Sequence, residues 1–134
     1  MKFTIPTRLA GLNEYIAAIN RNKYIGNKLK QDTEDTICLY IRRAVSIGAL
    51  SEITEYPVAV NFEWHEKTMR RDLDNIVSAK KFILDALQKS GILKGDGQKY
   101  VADLNDVFCI PSEHDGVIVE IIGMKRRTNG NKNN

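Results

Sequence analysis

The clearest pattern along the chain is a helical period in its second quarter. From Asp32 or Thr33 onward, Ile37, Tyr40, Ile41, Ala44 and Val45 recur at i, i+3, i+4, i+7 and i+8, the spacing of a single buried helix face. Arg42 and Arg43 fall off that face, where they oppose the negative end of the helix dipole, and Gly48 supplies a stop. A period of two follows. Val58, Val60, Phe62 and Trp64 alternate with Ala59, Asn61, Glu63 and His65, which predicts a strand with one covered face. Trp64 is thereby placed in the core, and His65 on the opposite face, either as a surface residue or close to a phosphate. Phe3 and Ile5 alternate with Lys2 and Thr4 and predict a short first strand ending at Pro6. Asn13 is then the expected cap of a short helix carrying Leu12, Ile16 and Ile19, and Asn20 to Lys30 is polar and basic enough to read as helix or loop.

A further apolar stripe follows Asn75. At about 100° per residue, Ile76, Val77, Ile83, Leu84 and Leu87 cluster on one arc, beside Ala79 and Ala86. Ser78, Lys81, Asp85 and Gln88 take the opposite arc, while Lys80 falls on the apolar side and has to snorkel. One helix is therefore expected to run to Ser90, capped by Asp74 or Asn75 and closed by Gly91. Beyond it, Asp106 to Ile110 and Val117 to Ile122 read as strands joined into a hairpin at Asp115-Gly116. With no internal repeat and no interdomain linker, these elements predict a single α+β domain over residues 1–125, a small mixed β-sheet covered by helices. Residues 126–134 form a polar tail, expected to be disordered.

Composition narrows the class. A chain of 134 residues suits one domain, which buries about two-thirds of the surface that its unfolded form exposes. No apolar run approaches the roughly 20 residues of a membrane span, and Met1 to Pro6 is too short and mixed for a signal peptide, so a cytoplasmic protein is expected. Cys38 and Cys109 lie far apart in sequence, without a CxxC or a local Cys/His cluster, and read as reduced core thiols. His114 sits in a turn and is assigned no chemistry. A net charge of +3 decides little by itself. The basic residues are grouped, however, with Arg21, Lys23, Lys28 and Lys30 early, Arg70 and Arg71 central, and Lys125 to Arg127 late.

Chemistry concentrates in Arg70-Arg71-Asp72-Leu73-Asp74-Asn75 and in Lys94-Gly95-Asp96-Gly97. Like charges near 4 Å repel by roughly 4 kcal/mol at an effective dielectric of 20, so converging carboxylates call for a cation. Mg²⁺ suits hard oxygen ligands and needs only one or two carboxylates besides phosphate and water. Each acid also has a plainer explanation. A cap accounts for one of Asp74 and Asn75, and Gly-Asp-Gly is ordinary turn chemistry; neither accounts for Asp72. A helix to Ser90 would carry the chain about 24 Å away at 1.5 Å per residue. Asp96 then meets Asp72 and Asp74 only if the loop after Gly91 folds back or the helix is shorter.

The ordered series Arg71-Asp72-Leu73-Asp74-Asn75, a lysine-bearing helix with Asp85-Ala86-Leu87, and Gly91-Ile92-Leu93-Lys94-Gly95-Asp96-Gly97-Gln98 resembles the RusA family of Holliday-junction resolvases. The resemblance covers roughly residues 70–100 and implies a homodimeric, Mg²⁺-dependent endonuclease, with Mn²⁺ as a substitute, that cuts paired strands at four-way DNA junctions. It implies neither a membrane nor a nucleotide cofactor. The family's metal-binding acids fall on Asp72, Asp74 and Asp96, and its catalytic lysine on Lys81, with Lys80 as the alternative. One departure is visible: the family's usual lysine position, three residues after the asparagine, holds Ser78, and Asp85-Ala86-Leu87 comes three residues later than usual. Arg70, Arg71, Lys28 and Lys30 are the expected DNA contacts. Two other classes fit the same residues: a branched-DNA-binding module whose acids are caps and turns, and a metal-dependent phosphatase or nucleotide hydrolase.

Overall fold

Two apolar-faced strands take the middle of the sheet. The computed structural model of the protein, which describes residues 1–125, contains β1 (Lys2–Ile5), α1 (Leu12–Arg21), α2 (Lys23–Ser46), β2 (Val58–His65), α3 (Leu73–Val77), α4 (Lys80–Lys89), β3 (Val101–Cys109) and β4 (Gly116–Gly123). The single mixed sheet has the order β1-β4-β2-β3, with β4 antiparallel to both neighbours and β3 parallel to β2. Phe3, Ile5, Val58, Val60, Phe62, Trp64, Val117, Val119 and Ile121 are buried and form one core with Ile37 and Ile41 of α2 and Ile83 and Leu87 of α4. The expected α+β domain with helices over a mixed sheet is therefore present. Residues 126–134, the expected polar tail, lie outside the described residues. Among the described residues no helix is long and apolar enough to cross a membrane.

The expected hairpin does not form, since β2 lies between β3 and β4. The reason is burial. Alternate residues of β4, Val117, Val119 and Ile121, are at most 4% exposed, so a central position removes that whole row from water. In contrast, β3 carries Asp103, Asn105 and Asp106 and is exposed along most of its length, a composition that only an edge tolerates.

The helices also depart from the expected boundaries. The basic segment from Asn20 to Lys30 is helical on both sides of Asn22: it ends α1 and begins α2, which Asn22 caps by accepting the Ile25 N–H at 3.0 Å. Val45, assigned to the buried face, is exposed. α1 starts after Gly11 rather than at an Asn13 cap, and it turns Ala18 inward while leaving Leu12 and Ile16 exposed. The single helix expected from Asn75 to Ser90 is two: α3 begins after Asp72, and Ser78 and Ala79 separate it from α4. Gly91 closes α4 at φ +76°, as its position after the last apolar residues requires.

Candidate functional site

The segment after β2 is held by a buried charge network. Glu66, 5% exposed, accepts hydrogen bonds from Arg71 through Nε at 3.2 Å and through Nη2. The third nitrogen, Nη1, donates to Glu14 Oε1 at 2.8 Å. Glu14 also accepts from the Gly11 N–H at 2.7 Å and from Asn75 Nδ2 at 2.9 Å. Burial alone would raise the Glu14 pKa, but these donors, Gly11 first, outweigh it and hold the carboxyl below its ordinary value. Burial likewise works against the Arg71 charge, and Glu66 and Glu14 overcome it to raise the guanidinium pKa. Arg71, expected to face phosphate, is thus only 8% exposed in its side chain and engaged on all three nitrogens. That expectation is corrected: Arg71 fixes the segment from inside, because Glu66 needs a buried counter-charge.

Asn75 differs from its expected role in a similar way. Its Oδ1 accepts the Asn13 N–H at 2.9 Å, and Ser78 Oγ accepts the Leu12 N–H at 2.7 Å. Two of the N–H groups that α1 leaves without intrahelical partners are therefore satisfied by residues more than sixty positions away. Asn75 does not start its own helix; it caps α1. Ser78, at the position where the resembled family carries lysine, shares that task. The approach is close enough that a Cβ at Gly11 would lie 2.3 Å from the Asn75 carbonyl oxygen.

With Arg71 and Asn75 turned inward, Arg70, Asp72 and Asp74 are left exposed at the start of α3. Asp72 occupies the N-cap position without a side-chain capping bond, and Asp74 Oδ1 accepts the neighbouring Asn75 N–H at 3.0 Å. The loop after Gly91 does fold back. Ile92 and Leu93 plug the core at 3% exposure each, and Tyr56 Oη accepts the Lys94 N–H at 3.0 Å. Asp96 is thereby brought to the first turn of α4, where Lys81 Nζ lies 3.1 Å from Asp96 and 3.0 Å from Asp85. Hydrogen bonding to Asp85 and then Asp96 raises the Lys81 pKa, and the same lysine lowers that of Asp96. Lys80 snorkels as expected. Its ammonium lies over the Phe62 ring and donates to Asp106 at 2.8 Å, while the Trp64 indole N–H donates to the other Asp106 oxygen at 2.9 Å.

The structure therefore joins Lys81 to Asp96 and leaves Asp72 and Asp74 on the neighbouring helix. Among the described residues, the group of three whose ligand atoms all lie within 4.8 Å of one another is Glu63, His65 and Cys109 rather than the three aspartates. Of the remaining basic residues, Lys28 pairs with Asp32 at 3.4 Å on the surface. Lys30 lines a groove between α2 and α4 together with Asp85, Gln88 and Lys89. Sequence reasoning missed Glu14, Glu66, Asp106 and the Glu63 cluster. Glu14 carried a local signal, a capping-box glutamate three residues after Gly11, and the strand alternation set Glu63 and His65 on one face; Asp106, Cys109 and Ser112 join their partners only across 26 to 47 positions of chain, and Glu66 through a buried arginine. No protein-family model matches the chain, and no curated protein shows significant similarity to it.

Proposed function

We propose that the protein is a Mg²⁺-dependent endonuclease that resolves four-way DNA junctions by paired phosphodiester hydrolysis in recombination and repair, acting as a homodimer in the cytoplasm. The observation that carries this reading is the Lys81–Asp96 contact. It returns a distant acid to the start of α4, next in the chain to the helix that presents Asp72 and Asp74. The donor chemistry of the three exposed carboxylates fits a hard divalent cation, which takes one or two of them and completes its shell with water and phosphate. Bound there, Mg²⁺ supplies charge neutralisation of the scissile phosphate and an acidified water.

The chain's own groups account for the other requirements. Lys81, kept cationic by its two carboxylate neighbours, offsets negative charge developing on the phosphoryl group or the leaving oxygen. Arg70 and Lys30 hold flanking phosphates, fixing register without reading sequence. The β3 edge is the surface on which a second copy pairs. It is nine residues long, with Leu104, Val107 and Phe108 exposed. Antiparallel self-pairing there about a two-fold axis normal to the sheet joins the two sheets into one and removes both edges. Because Lys80 ties the start of α4 to Asp106 of β3, the two Lys81 sites then flank the axis, as a nearly two-fold junction requires.

The test is incubation of the protein with a mobile synthetic four-way junction, with and without Mg²⁺, and mapping of the cuts. Symmetric Mg²⁺-dependent nicks are expected, and Asp72→Asn loses them while retaining junction affinity. Wild-type cutting by both Asp72→Asn and Asp74→Asn would sink the assignment of the acids. Binding without any cutting would instead identify a branched-DNA-binding module, and hydrolysis confined to nucleotides a small-substrate hydrolase.

A further inference from the structure

We infer that Glu63, His65 and Cys109 form a second metal site, selective for a borderline transition metal such as Zn²⁺ and independent of the aspartates proposed to bind Mg²⁺. The site is created by strand pairing. Glu63 and His65 are two apart on β2 and so point to the same face, opposite the buried Phe62 and Trp64. The parallel register then sets Cys109 of β3 beside His65. As a result one carboxylate oxygen, one imidazole nitrogen and one thiol sulfur lie within 4.8 Å of one another, all on half-buried residues.

Donor type decides the ion. A thiolate and an imidazole favour Zn²⁺ over Mg²⁺ or Ca²⁺, and one sulfur, one nitrogen and one oxygen match a three-ligand zinc site with an open fourth position. Tetrahedral coordination at ordinary zinc bond lengths places such atoms about 3.4–3.7 Å apart, which side-chain rotation within the existing cluster can provide. His65 also has the outer partner that ligating histidines require. Its Nδ1 lies 2.9 Å from Ser112 Oγ, leaving Nε2 directed at Glu63 Oε2 at 2.5 Å. Ser112 is itself held, because its backbone N–H donates to the Glu66 carbonyl at 2.8 Å. Without metal, the Nε2 to Glu63 hydrogen bond holds the ligands together. On binding, the metal takes the Nε2 lone pair, Nδ1–H donates to Ser112, and the Cys109 thiol proton leaves to solvent as the metal–sulfur bond forms. The bound ion adds a tie between the edge strand β3 and β2 at the Cys109 end, beyond the Trp64–Asp106 and Asn61–Asn105 side-chain bonds that already join the two strands.

Cobalt(II) is the direct probe, because it reports tetrahedral geometry and thiolate ligation in its absorption spectrum. One equivalent is expected to give an intense ligand-field spectrum and a sulfur-to-metal charge-transfer band, both erased by stoichiometric Zn²⁺. Cys109→Ser loses the charge-transfer band, and Ser112→Ala weakens Zn²⁺ affinity about 10–100-fold. A second measurement needs no variant: Zn²⁺ should slow alkylation of Cys109 at least about tenfold while leaving Cys38, also half-buried but outside the cluster, at its original rate. Absence of a thiolate band in wild-type protein, or equal alkylation of Cys109 with and without Zn²⁺, overturns the site. Neither result bears on junction cleavage.

Discussion

Replacing Asn75 by alanine separates a role in fold from a role in substrate binding. The 6%-exposed amide makes two long-range hydrogen bonds, accepting the Asn13 N–H and donating to the Glu14 carboxylate, each at 2.9 Å. Loss of a helix-capping acceptor costs about 1 kcal/mol, and loss of a bond to a charged group about 1.5–3 kcal/mol. A total of about 3 kcal/mol is expected, since both bonds are lost at one buried site. Over 134 residues, an unfolding entropy of about 2.1 cal/mol/K per residue converts this into a fall in Tm of about 11 °C. Thermal unfolding followed by circular dichroism measures it. Asn75→Asp provides the sign test, because it keeps an acceptor for Asn13 but sets a carboxylate against Glu14; it should also destabilise, and more so as pH rises from 4 to 7. A melting temperature for Asn75→Ala within about 3 °C of wild type, together with loss of junction affinity, would refute the capping role and assign the asparagine to the substrate.

Three further outcomes are expected. Arg71→Met leaves buried Glu66 with only the half-exposed Arg8, 4.0 Å away, as a counter-charge and should cost about 3 kcal/mol in denaturant unfolding, whereas a surface DNA contact would change stability little and affinity much. Glu14, whose pKa is lowered on folding, contributes stability that is fully present above the ordinary glutamate value and is lost as pH falls through its depressed value. Glu14→Gln should therefore flatten the acid limb of stability between about pH 5 and pH 3, and an unchanged acid limb would contradict the assigned donors. Lys81→Met should cost less than about 1 kcal/mol, because its side chain is 66% exposed and its ion pairs are solvent-screened, yet abolish Mg²⁺-dependent junction cutting. Wild-type cutting by that variant would remove Lys81 from the chemistry.

Much of the fold was written in local pattern. The alternation over Val58 to Trp64, the stripe through Ile37, Ile41 and Ala44, and the Phe3-Ile5 pair each identified a buried face that the structure retains. The wheel likewise separated Lys80, which lies over Phe62, from Lys81, which meets Asp96. Its error was continuity, since it ran one helix through Ser78 and Ala79. Nothing in the period marks Ser78 as the acceptor for Leu12, so the break between α3 and α4 had no local signature. The Asp115-Gly116 turn misled for a related reason: a turn signal shows where the chain reverses, not whether another strand enters between its arms.

By itself, then, the sequence determined which residues face inward and which short stretches carry charge, because side-chain period and composition are properties of consecutive residues. Strand order, the withdrawal of Arg71 from the surface, the capping of α1 by Asn75 and the meeting of Cys109 with His65 were decided only by the tertiary structure. Each depends on partners distant in the chain. A buried charge or polar group must be satisfied by whatever group packing brings to it, and period records the need for a partner without naming it. Around Arg70 to Asn75 that distinction divides the motif: Arg71 and Asn75 are consumed by the fold, and Arg70, Asp72 and Asp74 are left facing solvent.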